Sequence, residues 1–254
     1  MEIKELIEDA IYSNPLVLLT IQDEALIQII NDYLPYSIGI EIECPKSKDF
    51  NLSDFTSIPD IMEVNITSQE QRFRIPNGLA GLICLFTICE QLKINSELNL
   101  ESGHHYHIDM TNGFDQLTNE YVRANADWML KELDSWSYSG NYNSRIIDFS
   151  MSHHWVRFQP SFKTAEFRIG NMTFDYSIIV KRLIHACQII KRLKSPLIND
   201  EIIYKKSTVD INNCIKIDTT LRLERLKEQL KQSKSIQVTT SNWKEIIKKR
   251  VIKV

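Results

Sequence analysis

Three short segments of the 254-residue chain place ionisable side chains two residues apart within apolar or aromatic runs. They are residues 39–43 (GIEIE), 103–109 (GHHYHID) and 164–170 (TAEFRIG), with the pairs Glu41 and Glu43, His105 and His107, and Glu166 and Arg168. On a β-strand, this spacing sends both side chains of a pair to the same face of the sheet. An unpaired buried charge is strongly disfavoured, so these groups must face water, one another or a cation. The pattern therefore predicts a metal-dependent active site, rich in carboxylates, on one face of a sheet.

The strands and helices that must position these side chains follow from the periodicity of the apolar residues. We expect strands near 37–44, 61–66, 104–110, 145–151, 154–159 and 164–170, and helices near 79–92, 116–134 and 175–194. Asp175 is placed to cap the last of these helices. The helix that begins at residue 79 is apolar on all sides in its first half, so it should be buried against the sheet. The order of elements predicts an α+β domain with a largely antiparallel sheet.

The two ends of the chain differ from this middle part. Residues 1–34 have a helical period that Pro15 interrupts, which predicts two short helices. After Pro196 comes a stretch rich in Asn and Lys, followed by predicted helices at 219–231 and 241–250. The expected organisation is an N-terminal helical extension (1–35), a core (36–195) and a C-terminal helical extension (196–254).

Composition narrows the classes of function. The formal net charge is −3, which gives no general attraction to nucleic acid or to anionic membranes. The sequence contains no P-loop and no G-x-G-x-x-G motif, and no apolar run approaches the length of a membrane span, about 20 residues. Its five cysteines form no C-x-x-C pair, so we expect reduced, packed thiols. The chain is expected to be soluble and cytoplasmic, with neither nucleic acid nor membrane as a partner.

Four segments in order resemble the amidoligases, relatives of glutamate–cysteine ligase and glutamine synthetase. Residues 36–43 (YSIGIEIE) resemble the opening strand of that family, and 62–64 (MEV) resemble its next strand with a single Glu. Residues 102–109 (SGHHYHID) resemble its G-x-H-x-H strand, and 164–175 (TAEFRIGNMTFD) its E-F-R segment before a helix. The similarity covers about 36–194, with order and rough spacing preserved. The chain departs from the family after the single Glu, where residues 65–68 are NITS and relatives commonly have Ser or Thr and Pro.

The resemblance implies a carboxylate–amine ligase of the glutamine synthetase and glutamate–cysteine ligase fold type. In such a fold, the concave face of a curved, largely antiparallel sheet holds ATP, magnesium and the acid substrate, with manganese as the alternative metal. A carboxylate is activated as an acylphosphate, and an amine then displaces the phosphate. Small molecules or peptides would supply the carboxylate and the amine. By motif, the implied metal ligands are Glu41, Glu43, Glu63 and Glu166, His105 or His107 would contact metal or phosphate, and Arg168 would hold phosphate or a substrate carboxylate.

Two further expectations concern arginine and the enclosing loops. Arg157, on the strand next to Arg168, is an additional candidate for phosphate binding. The acylphosphate needs shelter from water, so segments 46–60 and 135–144 are candidates to close over the site.

Each motif residue also has a plainer structural explanation. A Glu-x-Glu pair can simply be solvated, His105 and His107 can be hydrogen-bonded core histidines, and Arg168 can be no more than the partner of Glu166. His104 alternates with its neighbours, so we expect it in the core.

Two other functions remain open at this point. His105, His107 and Asp109 form an H-x-H-x-D string, which is typical of zinc hydrolases. The second alternative is a non-catalytic binding or structural protein that reuses the amidoligase fold. In the ligase interpretation, the helical extensions would act as lids or as contacts between copies in a homo-oligomer.

Overall fold

The computed structural model describes residues 3–21, 23–43, 63–66, 71–95, 103–136, 144–149, 154–170 and 172–197. Within these ranges the helices are α1 (Ile3–Ser13), α2 (Glu24–Tyr33), α3 (Gly78–Asn95), α4 (Asn119–Leu133) and α5 (Tyr176–Lys194). The strands are β1 (Ile38–Ile42), β2 (Glu63–Ile66), β3 (Gln71–Ile75), β4 (His104–Asp109), β5 (Ser144–Asp148), β6 (His154–Gln159) and β7 (Thr164–Phe167). Two short 3-10 helices, Pro15–Thr20 and Phe114–Gln116, lie in connections.

The seven described strands form one sheet in the order β2-β3-β1-β4-β7-β6-β5. Neighbouring strands are antiparallel except β5 and β6, which run parallel, so the sheet is mixed. The predicted α+β class and the mostly antiparallel sheet are therefore confirmed.

One strand of this sheet, β3, was not expected from the sequence. Its pattern alternates strictly between buried and exposed residues, with Phe73 and Ile75 in the core and Arg72 and Arg74 exposed. This alternation is the signature of a strand buried on one face only. The expected helix over 116–134 begins later, at Asn119, because the Oγ1 of Thr118 accepts a hydrogen bond from the backbone N–H of Tyr121 at 3.1 Å and caps the helix.

The hydrophobic core lies on one face of the sheet. Every second residue of the central strands points into it, including Ile40, Phe73, Tyr106 and Phe167, each at most 2% exposed. Helix α3 contacts β3, helix α5 contacts β4, and the two helices contact each other. Asp175 caps α5 as expected, since its Oδ1 accepts a hydrogen bond from the N–H of Ser177 at 2.8 Å.

The N-terminal helices pack behind this helical layer. Helix α1 contacts α5, while α2 and the first 3-10 helix contact α3. Ile11, Leu18 and Ile30 are fully buried and belong to the same hydrophobic cluster as the sheet. The hydroxyl of Tyr176 donates a hydrogen bond to the carbonyl of Ile11 at 2.8 Å. The helices at residues 3–33 thus share one core with the sheet.

Several expectations lie outside the described residues, namely the C-terminal helices at 219–231 and 241–250, loop 46–60 and most of loop 135–144. Of the helices that the structure describes, none has both the length and the apolar character needed to span a membrane. Cys84, Cys89 and Cys187 are buried free thiols, and burial raises the pKa of each.

Candidate functional site

Strand register brings the predicted residues together on the sheet face opposite the core. Glu41 of β1 pairs with Arg72 of β3 on one side and with His105 of β4 on the other. One step along the sheet, His107 of β4 pairs with Glu166 of β7. Residues paired across antiparallel strands have Cβ atoms about 5 Å apart, so these side chains form one continuous polar surface.

Glu41, His107 and Glu166 form the centre of this surface. One ligand atom from each lies within 4.8 Å of the others. The Nε2 atom of His107 is 3.3 Å from Oε1 of Glu41 and 3.8 Å from Oε1 of Glu166. The Nδ1 atom of His105 is 3.6 Å from Oε2 of Glu41 and 3.7 Å from Oε1 of Glu166. Two imidazoles therefore face two carboxylates across short gaps, and we call these four residues the Glu–His cluster.

The imidazole nitrogens show that the cluster fits a metal ion. Nδ1 of His105 and Nε2 of His107 are buried, and neither makes a hydrogen bond of acceptable geometry to any described residue. Most of their distances to the carboxylates exceed the usual N–H···O range. Ligands at about 2.1 Å from an octahedral cation are roughly 3 Å apart, so a small inward movement would let these atoms share one ion. The carboxylate oxygens suit magnesium or manganese, whereas the imidazole nitrogens are donors that suit zinc and other transition metals.

Glu166 is the most constrained member of the cluster. Its side chain is fully buried, and it accepts hydrogen bonds from Nε of Arg157 and Nε2 of Gln159 on Oε2. Nη1 of Arg168 donates to Oε1 at 2.8 Å. Arg168 is therefore an ion-pair partner of Glu166 in the structure. A cation bound at Oε1 of Glu166 would share that oxygen with Arg168. Two guanidinium groups offset the cost of burying this carboxylate.

Glu41 is held in its ionised form. Burial opposes ionisation of this carboxyl, but the imidazoles of His105 and His107 and the charge of Arg72 outweigh burial and lower its pKa below the usual range. Nε of Arg72 lies 3.4 Å from Oε1 of Glu41. A carboxylate that stays charged is the form that binds a divalent cation.

Glu43 lies at the margin of the cluster. Its side chain is 45% exposed, its Oε1 is 3.7 Å from Nε2 of His105, and its Oε2 accepts a hydrogen bond from the N–H of Gly103 at 2.9 Å. A Cβ atom on Gly103 would lie 2.7 Å from Nε2 of His105 and 2.8 Å from Oε2 of Glu43. A larger residue at this position would force the ends of these two side chains to shift. Gly39 similarly sits against the side chain of His107, where a Cβ atom would be 3.2 Å from its Cβ.

Glu63 is placed by its backbone alone. Glu63 lies on β2, the edge strand, and pairs with Arg74 of β3. Strand β3 lies between β2 and β1. Two strand spacings separate β2 from β1, about 10 Å. The charges nearest to β1 on this side are therefore Arg72 and Arg74 of β3.

A cleft of about 570 Å³ opens beside the Glu–His cluster. Its lining includes Glu41, His107, the β3 arginines Arg72 and Arg74, the polar residues Ser37, Asp109, Thr111 and Thr164, and the exposed ring of Phe162. This volume is typical of small-molecule sites, which range over roughly 300–1,000 Å³.

Asp109 belongs to this cleft. Its Oδ1 accepts hydrogen bonds from the N–H and Oγ1 of Thr111 at 2.8 and 2.7 Å, and Oδ2 is 3.4 Å from Oγ of Ser37. Burial raises the pKa of Asp109, but these hydrogen bonds and the charge of Arg74 outweigh burial and lower it overall. Among the described residues, the group that converges to hold a metal does not include Asp109. The residues of the H-x-H-x-D string therefore lie in two places. The two histidines belong to the Glu–His cluster, and the aspartate lies in the cleft.

His104 lies on the core side of β4, as its alternation with His105 predicts. It is 1% exposed, and its Nδ1 is 3.2 Å from the hydroxyl of Tyr106. Burial, with the nearby charge of Arg182, lowers the pKa of His104 to about 3, so it is neutral in the folded protein.

Sequence reasoning missed three polar residues of this surface, Arg72, Arg74 and Gln159. The alternating QRFRI pattern of β3 was a signal for both arginines. Gln159 shares a face with Arg157 two residues earlier, which was a signal for its contact with Glu166. No model of a known protein family and no curated protein matches this chain.

Proposed function

We propose that the chain is an ATP- and magnesium-dependent carboxylate–amine ligase of the glutamine synthetase and glutamate–cysteine ligase fold type. The observation that carries the proposal is the convergence of Glu41, His107 and Glu166 within 4.8 Å, beside Arg168 and next to a cleft of small-molecule size. The amidoligase motifs supply these side chains, and the sheet register brings them to one place.

Glu41, His107 and Glu166 would hold the divalent cation, with His105 and Glu43 at its margin. Magnesium, or manganese in its place, supplies neutralisation of charge on phosphate oxygens. The protein's part is to fix these ligands. Gly39 and Gly103 leave the space that the ligand side chains occupy.

Arg157 and Arg168 would bind the phosphate on the β7 side of the cluster. A guanidinium group has five N–H donors, and Glu166 accepts from one nitrogen of each arginine. Arginine binds phosphate oxygens in a planar, bidentate manner. Phosphoryl transfer depends mainly on positioning and charge neutralisation, so these groups match the activation of a carboxylate to an acylphosphate.

One observation favours the non-catalytic alternative. Glu166 already has three hydrogen-bond donors and no exposed surface, so its carboxylate is satisfied without a ligand. Such a network can be retained for structural specificity alone. In contrast, buried nitrogens of His105 and His107 lack a hydrogen bond within the described residues, and a bound metal ion would complete them, which favours the ligase.

The test is release of ADP with magnesium and a panel of amino acids and peptides as acid and amine. We expect release that depends on both substrates and is lost in Glu41→Gln, while Glu132→Gln, a half-exposed carboxylate away from the site, keeps wild-type rates. ATP with magnesium should raise the melting temperature more than either alone, because the phosphates of ATP balance the positive charge that the ion brings to the site.

Absence of both ADP release and a thermal shift at millimolar ATP and magnesium would favour the non-catalytic alternative. Zinc that is stoichiometric and resists dialysis would favour the hydrolase.

A further inference from the structure

The imidazole of His185 joins helix α5 to the end of helix α4 on the helical side of the sheet. Its Nδ1 atom is 2.9 Å from Nε1 of Trp136, and its Nε2 atom is 3.4 Å from Oε2 of Glu132. An indole N–H can only donate a hydrogen bond, so Nδ1 of His185 accepts this bond and carries no proton. The proton of the neutral ring is therefore on Nε2, where it faces the carboxylate of Glu132.

The hydrogen bond from Trp136 requires the neutral form of His185. In an imidazolium ion both ring nitrogens carry a proton, so neither can accept. Protonation would place two N–H donors against each other across the 2.9 Å contact, and one of the two rings would have to move. Histidine is the side chain that ordinarily changes its charge between about pH 5 and 8. The side chain of His185 is 26% exposed, so water can deliver the proton.

The charged groups that face His185 come from α4 and α5. The carboxylate of Glu132 favours a protonated ring, because opposite charges attract. Nη1 of Arg192 lies 3.3 Å from the other oxygen of Glu132 and offsets part of that charge. The guanidinium of Arg192 is also held over the ring of Trp128, 4.1 Å from its centroid. Glu132 therefore promotes proton uptake by His185, and Arg192 opposes it.

Three other elements, α1, α3 and β4, also contact α5. The buried thiols of this layer, Cys89 and Cys187, stay neutral because burial raises the pKa of each. Among the described residues, Glu132 is therefore the carboxylate that pairs with His185. The charged side chains at the other contacts interact with different residues, namely Lys181 over the ring of Tyr12 in α1, Arg182 beside His104 and Tyr106 of β4, and Lys93 of α3 beside Asp175 at the start of α5.

Trp136 connects His185 to the back of the sheet that carries the Glu–His cluster. Its ring is stacked on Phe167 with centroids 6.1 Å apart, and it meets the ring of Tyr106 edge-on at 6.3 Å. Phe167 lies between two site residues of β7, and Tyr106 lies between the two site histidines of β4. Trp136 is 7% exposed, so its release would remove core contacts behind both strands.

We propose that His185 is a pH switch, which holds Trp136 in the core while the imidazole is neutral and releases it when the imidazole is protonated. A proton from water binds at Nδ1, the hydrogen bond from Nε1 of Trp136 is lost, and the N–H at Nε2 stays directed at Glu132. The switch lies behind the strands that carry the Glu–His cluster and uses none of the cluster's residues. It is therefore independent of the proposed function.

The indole N–H signals of the isotope-labelled full-length chain report the state of the switch in nuclear magnetic resonance spectra. The chain has four tryptophans, and the signal that disappears in Trp136→Phe belongs to Trp136. A hydrogen-bonded N–H proton is deshielded, so acidification from about pH 8 to about pH 5 should move this signal upfield in one transition. A Trp136 signal that keeps its position over this range overturns the proposal.

Three variants identify the titrating group. His185→Gln provides a carbonyl oxygen that can accept from Trp136 but does not titrate, so the Trp136 signal should stay constant with pH. Glu132→Gln should lower the midpoint of the transition, because it removes the carboxylate that favours the protonated ring. Arg192→Met should raise the midpoint, because it removes a positive charge. Glu132 and Arg192 are 45% and 61% exposed, so each shift should be no more than about 0.7 pH unit.

Glu120→Gln and Arg123→Met are the matched controls for these two charge changes. Both residues are exposed near the start of α4, at least about 13 Å along the helix from Glu132. Each control should keep the wild-type midpoint. A transition that persists in His185→Gln, or one that neither Glu132→Gln nor Arg192→Met moves, belongs to another group and overturns the proposal.

Discussion

Replacing Glu166 with glutamine removes a carboxylate that two guanidinium groups share inside the sheet surface. Arg157 and Arg168 are 16% and 11% exposed in their side chains, and Glu166 is fully buried. Breaking a buried ion pair by removing one partner costs about 3–5 kcal/mol, because the remaining charge stays uncompensated. Since both arginines keep some exposure, we expect the lower value, about 3 kcal/mol.

This loss in the free energy of unfolding can be measured by denaturation in urea and by thermal melting. A domain of this size loses about 2–4 °C in melting temperature per kcal/mol, so Glu166→Gln should melt roughly 6–12 °C below the wild type. Glu132→Gln is the matched control, because the carboxylate of Glu132 also has two nitrogen partners, His185 at 3.4 Å and Arg192 at 3.3 Å, but is 45% exposed. Exposed pairs contribute about 0–1 kcal/mol, so the control should melt within about 4 °C of the wild type. A melting temperature for Glu166→Gln that equals the control would refute the idea that Glu166 compensates the arginines.

Two further predictions concern acid stability and the phosphate site. Because burial lowers the pKa of His104 from 6.5 to about 3, below pH 6.5 the unfolded chain binds a proton that the folded protein does not bind. Stability should therefore fall as the pH falls from 6.5 towards 3, by about 2 kcal/mol between pH 7 and 5, and His104→Asn should flatten this part of a urea-unfolding pH profile. An unchanged profile contradicts the neutral, buried state of His104. Arg168→Lys keeps the charge beside Glu166 but loses the planar fork, so turnover should fall at least about tenfold while the free energy of unfolding falls by no more than about 2 kcal/mol. Full turnover in this variant excludes Arg168 as the phosphate ligand.

The sequence predicted the components of the site better than their arrangement. The two-residue spacing within β1, β4 and β7 is a local property, and it correctly placed Glu41 and His105 on the faces that the structure shows. The contacts between strands depend on register. A shift of one residue would move His107 away from Glu166 to the core side, and a single sequence does not encode that choice in any short pattern.

Strand β3 shows a second limit. Its two arginines and its glutamine interrupt the apolar run that marks a strand, and the segment is only five residues long. Tertiary pairing between β1 and β2 fixes it as a strand, which local propensity does not do. Because β3 was not predicted, its two arginines, Arg72 and Arg74, were not predicted to line the cleft.

The charges around the site have a consequence for how a metal would bind. Four carboxylates and four guanidinium groups line the cluster and the cleft within the described part of the chain, namely Glu41, Glu43, Asp109 and Glu166 with Arg72, Arg74, Arg157 and Arg168. The charges of these eight groups cancel, so a divalent cation alone would add an excess of two positive charges. Such an excess is unfavourable in a partly buried site unless an anion enters with the metal. The site should therefore bind magnesium weakly by itself and tightly as a complex with ATP, whose phosphates restore the balance.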